Sequence, residues 1–300
     1  MMVIARNIGR LGNRLILFSH FIALARERGV ALSNPCFAEY ASVFPATRNN
    51  LFCKYDEAKS PESSDAVPPW QRILARESIY LPARLATHLR LTHFPVRILR
   101  LERGEELDLQ TPMVIKAIEQ RAVVLFMGWR FRCYSLVSRH ADTIREFFRL
   151  DEATESQICR FTEATRRDCE LLVGVHVRRG DYASFAGGRY YFSDLQYATW
   201  MRQIVEQHSH RRIRFLICSD GAWDSSTFNE FDCSTGPGKM VEDMHALSKC
   251  DLIVGSPSTF TGWASFVGNV PCQHFYDAGE QFHESACEVY NLHEPRPLQL

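Results

Sequence analysis

No part of this 300-residue chain is apolar for long. The longest uninterrupted run, Ala122–Met127, falls far short of the roughly 18–20 residues a membrane span needs. The first residues carry Arg6, Arg10 and Arg14 without an apolar core between them, unlike a secretory signal. The expectation is a soluble, cytoplasmic protein. Cys-x-x-Cys is missing too. The ten cysteines fall at irregular intervals, some inside apolar runs such as Phe215–Cys218, so buried thiols are expected in place of a disulfide framework.

Other absences remove whole classes of chemistry. Without Gly-x-Gly-x-x-Gly, a dinucleotide redox enzyme is disfavoured. Gly236-Pro237-Gly238-Lys239-Met240 lacks both the upstream glycine and the Ser/Thr after lysine that a phosphate-binding P-loop requires. Asp-x-Asp does not occur, and the pairs His88/His93 and His208/His210 have no zinc-ligand companions, so no metal is expected. Basic residues never run to five in succession, and nucleic acid is not an expected partner.

What is present is ordinary for a globular chain: 46% hydrophobic residues and a formal charge of zero. The charge is uneven, about +8 over residues 1–150 and about −8 over 151–300, which suggests two modules. The first 55 residues read as loop, helix, strand. Gly9-Arg10-Leu11-Gly12 makes a tight turn, Asn13 suits an N-cap, Arg14–Arg28 is a helix ended by Gly29, and Val30–Leu32 is a strand. Residues 56–69, polar with three prolines, read as a surface loop or a lid. Between 70 and 150 only a strand at Ala122–Met127 and a helix at Asp142–Arg149 stand out.

From residue 151 the pattern is regular. Helices at Asp151–Arg167, Leu195–Gln207, Met240–Cys250 and Thr259–Val267 alternate with strands at Leu171–Arg178, Ile213–Cys218, Leu252–Gly255 and Cys272–Tyr276. That alternation predicts parallel βαβ units in a Rossmann-like α/β layer, whose ligands sit beyond the carboxyl ends of the strands.

Three signals fall at such ends. His176-Val177-Arg178-Arg179-Gly180-Asp181 closes one strand, and i, i+2 spacing puts His176 and Arg178 on one face, suited to an anion. A solvated strand end with an incidental turn fits the same residues. On a helical wheel Met240, Val241, Met244, Leu247 and Asp251 gather on one side with Asp243 at the margin. Asp243 can there accept two N–H donors from a guanine edge, or simply flank a core stripe. Ser256-Pro257-Ser258-Thr259-Phe260 leads from strand into helix, which makes either a phosphate seat or an ordinary N-cap.

Together these residues carry a family resemblance. Gly9-Arg10-Leu11-Gly12-Asn13, then His176 to Tyr182, then Asp243, Leu247-Ser248-Lys249-Cys250-Asp251, Ser258-Thr259-Phe260 and Trp263 resemble the α-1,2-fucosyltransferase family. Protein O-fucosyltransferases and α-1,6-fucosyltransferases share the pattern more weakly. Ser219-Asp220 also looks like the family's Ser-Asp-Asp, with Gly221 in place of the last Asp. A second departure is Pro257-Ser258-Thr259-Phe260-Thr261-Gly262-Trp263, where relatives usually read Asn-Ser-Thr-Phe-Ser-Trp-Trp.

The resemblance implies a GT-B-type fold of two facing Rossmann-like domains, 1–150 on the acceptor side and 151–300 binding the GDP-sugar. It implies an inverting, metal-independent transfer of fucose from GDP-fucose to a glycan hydroxyl, with no cofactor beyond that donor. Arg178 would bind the β-phosphate, His176 would lie beside ribose or base, and Asp243 would read the guanine. Ser258, Thr259 and Phe260 would line the nucleotide and diphosphate. Arg179, Asp181 and Asp220 complete the donor set, with Asp181 expected to hold an arginine in place. Gly12 and Asn13 would face fucose and acceptor. The alternatives are another GDP-sugar, a peptide or lipid-linked acceptor, or a non-catalytic nucleotide- or glycan-binding protein.

Overall fold

The computed structural model describes residues 1–6, 8–55, 66–91 and 96–292. They form two compact units, Met1–Asp151 and Glu152–Leu300. Most of the segment read as a loop or lid, residues 56–65, lies outside the described residues.

Unit 1 opens on a strand, β1 (Met2–Ile4), where a loop was expected. Helix α1 (Leu11–Arg28), β2 (Leu32–Ser33), α2 (Pro45–Arg48), β3 (Lys54–Tyr55), α3 (Pro69–His88) and β4 (Arg97–Arg100) follow. The unit closes with β5 (Leu107–Asp108), α4 (Pro112–Gln120), β6 (Val124–Met127), β7 (Phe131–Arg132), α5 (Tyr134–Arg139) and α6 (Ala141–Phe147). Its main sheet runs β3-β2-β1-β6-β4, parallel except at β2–β3. Beneath it α1 is buried along nearly its whole length, with Phe21 edge-on to Phe126 (centroids 4.7 Å) and Phe18 against Phe37 and Phe148.

The start of α1 corrects one expectation. The helix begins at Leu11 after Arg10, so Asn13 sits in its first turn and is not the N-cap. Gly9, at φ 69°, lies directly beneath the Asn13 amide, where a Cβ has no room. At the other end Gly29 closes the helix at φ 61°, a left-handed conformation that glycine adopts at little cost.

Unit 2 comprises α7 (Glu152–Thr165), β8 (Leu171–Val177), α8 (Asp194–Gln207), β9 (Ile213–Ser219), β10 (Cys233–Thr235), α9 (Met240–Leu247), β11 (Leu252–Gly255), α10 (Thr259–Gly268), β12 (Pro271–His274) and β13 (Glu288–Val289). Its sheet is ordered β10-β9-β8-β11-β12-β13, parallel except for the last pair. Every residue of the central strand β8 is buried, as its near-continuous apolar run requires when both faces are covered. Val173, Val175 and Val177 pack into the core with Tyr197, Trp200 and Met201 of α8. Gly174 points the other way, and its missing side chain admits Leu247 of α9.

Helix α9 ends at Leu247, earlier than expected. Asp251 therefore lies outside it, where its carboxylate accepts the Leu172 N–H (2.8 Å), and Met240 is exposed at the first turn. All ten cysteines are free thiols.

Candidate active site

In unit 2 the chain proceeds from β8 to β9 to β10 on one side, then returns to place β11 on the other side of β8. The strand order reverses between β8 and β11, and a crevice opens at the carboxyl ends of such a pair. His176 and Arg178 leave β8 there, and Ser256–Phe260 leave β11 into α10.

Register explains how the crevice is shaped. His176, Gly255 and His274 are lateral neighbours on β8, β11 and β12. A Cβ on Gly255 would lie 2.7 Å from the His176 carbonyl oxygen, so only glycine lets the strands meet this way. The His176 ring stacks on Phe260 (4.7 Å, 24°). Burial, helped by the nearby Arg178 and His274 charges, lowers its pKa to about 3. His176 is therefore a neutral imidazole, and its buried Nδ1 has no hydrogen-bond partner. His274, lowered by burial to about 4, bonds Thr261 Oγ1 through Nε2 (2.7 Å).

The two arginines of the motif have different surroundings. Arg178 donates one bond to Asp220 and another to Asp181 (2.6 Å), and its guanidinium lies over the Tyr182 ring at 4.6 Å. Two of a guanidinium's five N–H donors are thereby used, and Nε has no partner. Arg179 points inward. It donates to the Phe192 carbonyl (2.7 Å), pairs with Asp194 at the start of α8 and lies near the Tyr191 and Tyr197 rings. The Arg179 guanidinium thus braces the loop 178–194 and is not offered to the crevice. Asp220 joins the two arginines, since its other oxygen accepts the Arg179 N–H (2.7 Å). Gly221, the departure from Ser-Asp-Asp, lies against Arg179, where a Cβ would come 2.7 Å from Arg179 Cβ.

Asp243 is buried in the first turn of α9, and its Oδ1 accepts the Gly238 N–H (2.8 Å). Burial raises its pKa. The glycine-rich segment that fails as a P-loop forms the cover over this carboxylate. A Cβ on Gly236 would lie 2.8 Å from Asp243 Oδ1 and 2.6 Å from Cys218 Sγ. Across the crevice Ser258 caps α10 by accepting the Phe260 N–H (3.2 Å), which leaves Thr259 at the positive end of a ten-residue helix.

Two tyrosines that were given no role from sequence hold the crevice together. Tyr197 donates nothing to the motif but accepts the Arg178 N–H (3.2 Å) and shares a bond with the buried Ser256 (2.8 Å). Tyr182 donates to the Pro257 carbonyl, linking the β8 and β11 exits. Their spacing carries no signal; only their rank on the inner face of α8 and in the quoted motif did. The second departure also has a packing cause. Gly262, where relatives carry tryptophan, faces the Tyr290 ring, and a Cβ there would come within 2.7 Å of it.

In unit 1 the turn at Gly9 and the first turn of α1, through Asn13, follow β1, next to the strand-order reversal between β1 and β6. Arg14 ties this segment down by donating to the Gly9 carbonyl (3.1 Å) and the Cys36 carbonyl (3.2 Å). Beside it Arg6, Arg14 and Asn34 line a small hollow, with Asn34 Oδ1 buried and unpartnered.

Comparison with known proteins bears on this arrangement. Residues 127–271 match the model of glycosyl transferase family 11. The match covers slightly less than half of the chain. It includes His176 to Tyr182, Asp220, Asp243 and Ser256 to Phe260, and it leaves His274 and the segment Gly9–Asn13 outside. An α-1,2-colitosyltransferase of Escherichia coli is 25% identical over 177 residues, 52% of this chain and 53% of that protein. The chain thus matches about half the length of this curated relative. Among solved structures, Arabidopsis thaliana FUT1 in complex with GDP superposes with TM-score 0.62 at 12% identity, covering 96% of this chain and 73% of that one. The fucosyltransferase NodZ from Bradyrhizobium gives TM-score 0.54 at 17% identity, over 94% and 96% of the two chains. At these identities the likeness shows the fold, an α/β chain of the GT-B type with parallel sheets. By sequence and fold the chain is similar to glycosyltransferases.

Proposed function

We propose that this chain transfers a fucose-type sugar from its GDP ester to a glycan hydroxyl, with inversion and without a metal ion. The observation that carries the proposal is Arg178, a guanidinium with unused donors at the β8/β11 reversal, held by Asp181 and Asp220 opposite the start of α10. GDP fits the crevice chemically. Asp243, anchored through Oδ1, would accept the guanine N–H groups. The neutral His176 and the Phe260 ring would flank the nucleoside, and Ser258, Thr259 and Arg178 would take the diphosphate.

In the reaction the bond from the sugar's anomeric carbon to the β-phosphate oxygen breaks, and its electron pair stays on GDP. Arg178 stabilises that growing charge, the task a magnesium ion performs elsewhere. The acceptor oxygen bonds the opposite face of the sugar, and its proton is released to solvent. Arg179 acts at one remove, positioning the loop that presents Arg178. Gly12 and Asn13 in unit 1 would contribute to the sugar and acceptor side.

Support comes from the match of residues 127–271 to glycosyl transferase family 11 and from the GDP bound to the fold relative FUT1. The colitosyltransferase relative favours one second reading, a related deoxysugar on the same nucleotide. The first experiment is thermal unfolding with GDP, GDP-fucose and ADP in chelator. A ligand at about 100 times its Kd adds about 2.7 kcal/mol, a rise of about 4 °C for a chain of this size. A rise with both guanine ligands and not with ADP is expected; no rise with either rejects the donor site. Turnover of GDP-fucose against GDP-mannose in EDTA, with the product anomer read by NMR, then tests donor, metal and stereochemistry.

A further inference from the structure

Helix α3 is apolar on two opposite faces, and only one is covered. At 100° per residue Ala75, Ile79, Ala83 and Ala86 fall within an arc of about 80° together with Arg72. That arc faces unit 1: Ile79, Ala83 and Ala86 pack with Ala5, Ile98 and Met127. Arg72 is buried and donates to the carbonyls of Thr47 (3.0 Å), Arg48 and Asn50 (2.5 Å). The inner face is thus fixed, and the helix cannot roll to hide the other.

The outer face carries Trp70, Leu74, Leu81 and Leu85 within an arc of about 60°. Each of these side chains is more than half exposed, as are Leu89 and Leu91 just beyond the helix. An exposed apolar stripe of this length, interrupted only at the Glu77–Ser78 turn, costs hydration free energy in water, and such patches mark a surface that meets something else. The charge around it selects what. Of the four arginines in residues 69–91, Arg72 is buried on the inner face and Arg76 pairs with Glu77 (2.6 Å), while Arg84 and Arg90 form no ion pair among the described residues and leave the surroundings of the face net positive. The half of the chain that bears the helix is itself about +8.

We propose that the outer face of α3 is a docking surface for a lipid bilayer bearing anionic headgroups. Trp70 and the leucines would enter the boundary between headgroups and acyl chains, while Arg84 and Arg90 meet the lipid phosphates. A second copy of this chain is the poorer occupant, because a two-fold contact brings the same patch against itself and sets these arginines against their own images. No helix among the described residues is long and apolar enough to cross a membrane, so the attachment is peripheral. It would hold the chain beside membrane-anchored material whatever the sugar donor.

The test is flotation of the full chain with vesicles of phosphatidylcholine, with or without roughly one phosphatidylglycerol in four. Binding is expected to be about tenfold or more stronger on the anionic vesicles, and weaker at about 1 M than at about 0.15 M salt. The variant Leu74→Gln/Leu81→Gln/Leu85→Gln should lose about tenfold or more in binding with an unchanged melting temperature, since these side chains are exposed. Brominated lipid should quench the wild-type fluorescence, and Trp70→Phe should abolish that quenching. Equal flotation with both vesicle types, quenching that survives Trp70→Phe, or a soluble dimer that the triple variant splits while neither form floats would each overturn the proposal.

Discussion

Arg178 and Arg179 are chemically identical and adjacent, yet they have separate tasks because successive residues leave a strand on opposite sides. Arg178→Ala should lower transfer by about 10²–10³ with little change in melting temperature, as for other preorganised charge-stabilising donors. Arg179→Ala should instead lower the melting temperature, because it leaves Asp194 and the Phe192 carbonyl without their buried partner. Near-wild-type turnover by a folded Arg178→Ala protein would remove Arg178 from the reaction. At Gly255 the constraint is purely steric. Gly255→Ala drives a methyl toward the His176 carbonyl and should cost about 1–3 kcal/mol, read as a lower urea midpoint.

At the scale of elements, α3 depends on one buried cation. Arg72 gives the carbonyls of Thr47, Arg48 and Asn50 a second donor beside the backbone N–H groups of Asn50, Val67 and Cys53, and so ties α3 to the turn that follows α2. Arg72→Met keeps the bulk and loses the donors, so destabilisation of about 2–4 kcal/mol is expected, with faster hydrogen exchange over α2 and α3. Unchanged exchange there would mean that the backbone donors suffice. Helix α3 was illegible in the sequence for the same reason that makes it informative: apolar side chains on two faces erase the single-face period. Helices α8 and α10 were legible because each has one buried face, and each is capped by a serine, Ser193 and Ser258, of which only the second lay in a segment read as an N-cap.

The whole molecule responds to pH through its buried imidazoles. In the native state burial lowers His176 to about 3 and both His245 and His274 to about 4. Unfolded, each would titrate near its ordinary value of about 6.5. Between these limits the unfolded chain binds more protons, so stability rises with pH across that window and falls on acidification. Asp243, raised by burial, acts with the opposite sign, since its proton is retained longer in the native state and stability is lost as pH rises. Three histidines outweigh one carboxyl, so the urea midpoint should drop between about pH 7 and about pH 5, and His245→Gln should flatten the drop. An identical midpoint at both values would contradict the buried, neutral state. Sequence by itself determined the α/β class, the alternation after residue 151 and the three motifs at strand ends, because periodicity, caps and short runs are local properties of a chain. Tertiary structure decided the rest. Which arginine faces the crevice, why Gly221, Gly236, Gly255 and Gly262 must lack a side chain, and which face of α3 stays bare all depend on atoms brought together from distant segments. No local pattern encodes those meetings, since each is set by strand order and by what packs on the other side.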